Sequence, residues 1–150
     1  MQNVLTKLYV EAMANYVIGS YEERELDYVD LFYPKVAFFL GSNNIERIIK
    51  GEEVLPILQS VGLSIDDYQK ILEIIATGWV AYEDNPDLEY LRDINERSNE
   101  MLLPMIQKVM ERMISKGTSR ETIEGDVNNF FGNDPLIFTP VESLNNLKKM

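Results

Sequence analysis

Apolar residues recur along this chain at steps of three and four far more often than at every second position. Val4, Leu5, Leu8, Tyr9, Ala12, Met13, Tyr16 and Val17 make the first such stripe, the pattern of a helix that turns one face to a core. Asn3 is placed to cap that helix and Gly19 to end it. Ser20 with Glu23 has capping-box spacing and predicts a second helix through about Phe32. Pro34 then predicts a boundary, because proline lacks a backbone donor and pushes the preceding residue out of helical geometry. Pro34 to Leu40 reads as a separate short buried helix closed by Gly41.

Further along, Asn43 or Asn44 is expected to cap a brief helix over Ile45 to Lys50, and Glu52 to Val61 reads as another. Gly62 turns the chain, Ser64 caps and Asp67 completes a capping box for a helix whose buried side carries Tyr68, Ile71, Leu72, Ile75 and Trp79. "EDNPD", Glu83 to Asp87, is a turn with Pro86 at a helix start. The longest helical stretch follows, from Leu88 to about Ile114, and Pro104 is expected to kink or restart it. Thr118 with Glu121 opens one more helix through Phe131. "LIFT", Leu136 to Thr139, has some strand character, and a last short helix runs toward Lys148 and Lys149. The pattern predicts an all-α protein, an irregular bundle of six to eight helices in a single domain over residues 1–150.

Composition narrows the chemistry. The 150 residues include no cysteine and no histidine. That removes thiol and serine–histidine catalysis and the usual zinc ligand sets, and no cofactor is implied. The eight glycines are scattered, so no phosphate-cradling loop exists. The opening residues, MQNVLTKLYVEAM, lack the apolar core of a secretory leader. The densest apolar run, Val36 to Leu40, is far short of the roughly 20 residues that span a bilayer. A cytoplasmic protein without membrane contact is expected.

Charge adds a direction. The net charge is −11, from 25 acids against 14 bases. Such a surface repels nucleic acid and attracts basic protein surfaces. "SVGLSIDDYQKIL", Ser60 to Leu72, has helix-turn-helix spacing, but Asp66 and Asp67 stand where a reading helix would meet phosphate. It reads as a capped corner, and no direct nucleic-acid contact is expected.

Two acidic stretches are interleaved with tyrosine, a favoured interface anchor. The first holds Tyr21, Glu22, Glu23, Glu25, Asp27, Tyr28 and Asp30. The second holds Glu83, Asp84, Asp87, Glu89, Tyr90 and Asp93. These thirteen residues are the candidate partner-binding set. The function they suggest is an acidic interaction factor: an inhibitor, antagonist or immunity-type protein that occupies a partner's basic surface, including by mimicry of a nucleic-acid backbone. Solvated helix faces with local pairs such as Asp93–Arg97 would produce the same composition.

Two alternatives share the residues. A viral or phage assembly protein would form a homo-oligomer through its helices, with Met101, Met105, Met110 and Met113 either core or adaptable interface. A magnesium-dependent helical phosphohydrolase would use Glu22, Glu25, Asp93 and Glu96, but Arg92 and Arg97 compete there with a cation.

Overall fold

The computed structural model of the protein describes residues 2–19 and 27–132. They form seven helices and no strand: α1 (Gln2–Gly19), α2 (Tyr28–Leu40), α3 (Ser42–Ile49), α4 (Val54–Val61), α5 (Ile65–Asp84), α6 (Leu88–Ser115) and α7 (Arg120–Phe131). The fold is an all-α bundle, and one continuous apolar core takes side chains from all seven helices. The Ser20–Glu23 capping box, the "LIFT" segment and the last short helix lie outside the described residues.

Helix α2 is the centre of the bundle and packs against each of the other six. Its buried residues Tyr28, Val29, Phe32, Val36, Phe39 and Leu40 therefore wrap round most of its circumference. This explains the boundary that Pro34 does not make. Proline inside a helix costs about 3 kcal/mol. Burying each large apolar side chain returns roughly 1.5–3 kcal/mol, and α2 buries several on both sides of Pro34. Packing wins, and one helix runs unbroken from Tyr28 to Leu40. Pro104 is likewise absorbed into a continuous α6. Pro104 and Glu100 are both exposed, so water can reach the carbonyl that loses its donor.

The corner between α4 and α5 follows from local chemistry. Gly62 has φ +80°, which only glycine adopts without strain. The Leu63 N–H reaches back to the Leu58 carbonyl at 3.0 Å and the Gly62 N–H to that of Gln59 at 3.2 Å, a Schellman closure. Ser64 and Asp67 then form the expected capping box: Asp67 N donates to Ser64 Oγ at 3.1 Å, and Ser64 N donates to Asp67 Oδ2 at 3.0 Å. Other helix starts shift by a residue or two. Helix α3 begins at Ser42, α7 is capped by Ser119 rather than Thr118, and Pro86 precedes the Asp87 cap.

The stripe of α1 is buried over only part of its length. Leu5 and Leu8 enter the core, whereas Met13 and Tyr16 are exposed. Met105 and Met110 are core, and Met101 is exposed. Among the described residues no helix is long and apolar enough to cross a membrane.

Candidate protein-docking surface

The second acidic stretch lies at the corner where α5 hands over to α6. Glu83, Asp84, Asp87 and Glu89 are all exposed, with Leu88 standing 47% exposed among them. Asp87 caps α6, its Oδ2 accepting from Tyr90 N at 3.3 Å. Asp84 ends α5, where the helix dipole opposes a negative charge. Two of the acids are neutralised locally: Lys7 holds Glu83 at 2.7 Å, and Arg97 holds Asp93 at 2.9 Å within α6. Tyr90 is half-buried and lines a groove of about 140 Å³ between α5 and α6, alongside Gly78, Arg97 and Met101.

The first stretch is divided. Tyr21, Glu22, Glu23 and Glu25 lie outside the described residues. Asp27 and Asp30 form the capping box of α2, each side chain accepting from the other's backbone N–H, with Asp27 N to Asp30 Oδ2 at 2.9 Å; Tyr28 N also donates to Asp27 Oδ1, at 2.6 Å. Tyr28 is not a surface anchor. It is 1% exposed, stacked on Phe32 at 4.1 Å and tilted against Trp79 at 5.0 Å. Its hydroxyl donates to the Ile75 carbonyl at 2.5 Å, and burial pushes the phenol far above its usual range. An acid-flanked tyrosine at the first position of the central helix is drawn inward because α2 has no outer face to offer there.

Packing brings the remains of the two stretches together at Glu11 of α1. Burial raises the Glu11 carboxyl, Lys7 partly offsets this, and Asp27 and Glu83 raise it again. Asp27 belongs to the first stretch and Glu83 to the second, so one carboxylate feels both. Lys7 sits among them with its ammonium 4.5 Å from the Trp79 ring centre. Glu11, Asp27 and Glu83 thus come within electrostatic reach of one another from α1, the cap of α2 and the end of α5. Among the described residues no three carboxylates converge as metal ligands would.

Two features escape a reading by sequence. Lys35 is 1% exposed, in the middle of α2. Its ammonium donates to Asn95 Oδ1 and to Asn99 Oδ1, the latter at 2.6 Å, and lies 4.4 Å from the Phe32 ring centre. Asn99 in turn donates to the Phe131 carbonyl at 3.2 Å, so the network ties α2, α6 and α7. A lysine beside the densest apolar run of the chain was the available signal. The second feature is a groove of about 310 Å³ between the end of α2, the end of α4 and the last turns of α6, lined in part by Arg112 and Lys116.

Comparison with protein-family models, with curated proteins and with solved structures returns no match to this chain in any of the three.

Proposed function

We propose that this protein is an acidic protein–protein interaction factor, an inhibitor or antagonist that seats its α5–α6 corner on a basic surface of a partner protein. The observation that carries the reading is the run of exposed acids Glu83, Asp84, Asp87 and Glu89 at that one corner. Exposed Leu88 adds an apolar contact in the middle of that charge. A charged rim round an apolar residue steers encounter and then excludes water, as protein interfaces do.

Asp84 and Glu89 test this reading, because neither caps a helix nor holds an ion pair among the described residues. The double variant D84K/E89K should keep the wild-type unfolding temperature. It should lose a basic protein that the immobilised wild type captures from cell extract at low salt. Capture of the same protein by both forms would defeat the reading.

A further inference from the structure

The groove between α2, α4 and α6 is lined by two cations and no carboxylate. Six cations among the described residues each hold a carboxylate: Lys7, Arg47, Lys50, Arg97, Lys108 and Arg120. Arg112 and Lys116 hold none among the described residues, although acids outnumber bases 25 to 14 in this chain. They stand one helical turn apart and line the same groove. Lys70 and Arg92 hold none either, but neither lines this groove.

Arg112 is seated. Its side chain crosses Gly62, where a Cβ would lie 3.1 Å from Nη1. Beside the two cations the walls are mainly apolar, with Phe38, Val61, Val109 and Met113, and carry the hydroxyls of Ser60 and Thr118. The dipole of α6 favours a cation at its last turn, but it does not call for an apolar cleft next to that cation. A cleft with apolar walls and two cations selects an apolar side chain flanked by carboxylates.

This chain presents such a group. Leu88 is exposed at the α5–α6 corner, between Asp87 and Glu89, both exposed. We infer that a second copy of the chain occupies the groove, its Asp87–Leu88–Glu89 corner seating Leu88 against the apolar wall and its carboxylates on Arg112 and Lys116. The inference rests on the reading of the corner as a docking element and names a basic surface that it fits. The contact is heterologous, since corner and groove are different patches, so copies join head to tail. At physiological salt the Debye length is about 8 Å. The general repulsion between two acidic copies is therefore damped beyond the contact itself. The contact is small and the association correspondingly weak and concentration-dependent.

Mixing tests the arrangement. By sedimentation or light scattering over a concentration series, the wild type should self-associate progressively. A corner variant, L88A/E89K, and a groove variant, R112E/K116E, should each weaken self-association by at least about tenfold. Mixed one to one, they should form a pair, because one supplies an intact groove and the other an intact corner. That pair should grow no further. K116E alone, which leaves the Arg112–Gly62 packing in place, should show the same direction of change if R112E disturbs folding. A wild type that stays monomeric throughout overturns the inference, as does a folded groove variant that associates like wild type. So does a mixture that forms no pair, including one in which acidic peptides of another protein fill the groove instead. The two proposals fail separately. A monomeric wild type whose D84K/E89K form still loses its basic partner leaves the corner reading intact and removes only self-docking.

Discussion

Lys35 and Asn99 meet in the interior at 2.6 Å, a full ammonium held by the neutral oxygen of an amide. The amide nitrogen of Asn99 is committed at the same time, to the Phe131 carbonyl at the end of α7. Asn99 thus shares the solvation of the Lys35 ammonium with Asn95 and ties the last turn of α7 to it. Replacing Asn99 by alanine leaves the ammonium short of an acceptor and the carbonyl short of a donor. The expected loss is about 1–3 kcal/mol. Hydrogen exchange should show the amides of α7 losing protection before those of α5, because α7 packs mainly on α2 and α6. Uniform loss across all helices would show that Asn99 does not govern the docking of α7.

Gly78 is the second test. In an exposed helix, Gly→Ala gains roughly 1 kcal/mol. Here a Cβ would stand 3.0 Å from the Tyr28 hydroxyl and 3.1 Å from Ile94 Cγ2. Overpacking of that kind costs about 1–3 kcal/mol, so G78A should destabilise despite better helix propensity. Y28F alone should cost about 1 kcal/mol through the bond to Ile75. In the Y28F background part of the crowding at Gly78 is relieved, so the double variant should be more stable than the sum of the singles predicts. Urea midpoints for the four proteins decide it.

Acid titration should expose two opposed carboxyls. For Asp67, burial works to raise the group, but bonds from Lys108 and Ser64 prevail and hold it below the usual range. Its contribution is therefore complete above the unfolded value of about 3.9 and disappears as pH falls through the folded value. For Glu11, burial and the nearby Asp27 and Glu83 raise the group. Its contribution is complete below the unfolded value of about 4.3 and disappears as pH rises through the folded value. D67N should flatten the acid limb of the stability curve, and E11Q should stabilise the protein at neutral pH more than at acid pH. Denaturation midpoints across the acid range would check both signs. Steeper acid loss in D67N would contradict the first.

The α4–α5 corner tests a cap. Ser64→Ala removes the acceptor for Asp67 N and should cost about 1 kcal/mol. Thermal unfolding of S64A measures it, and an unchanged midpoint would mean the box is replaced by water at no loss.

What could be read from the sequence follows from range. The Ser64–Asp67 box, the Gly62 turn and the buried Trp79 depend on residues within one or two turns, and all appear as expected. Tyr28 and Pro34 depart from what local sequence predicts because both sit in the one helix that six others surround, and local propensity carries no trace of those neighbours. The acidic stretches were visible as composition. Their junction at Glu11 was not, because it depends on how α1 lies against α2 and α5. Lys35 had a signal, a charge amid apolar residues, but its asparagine partners are 60 and 64 positions away.

Gly62 has one further consequence, for how this chain can change. Its positive φ makes the corner, and its missing Cβ makes room for Arg112. Gly62→Ala strains the turn by about 1 kcal/mol or more and displaces the guanidinium in the same step. A lineage that gave up glycine here would alter the reversal of the chain and the wall of the groove together. Those two traits cannot drift apart through this position, so selection on either one constrains both.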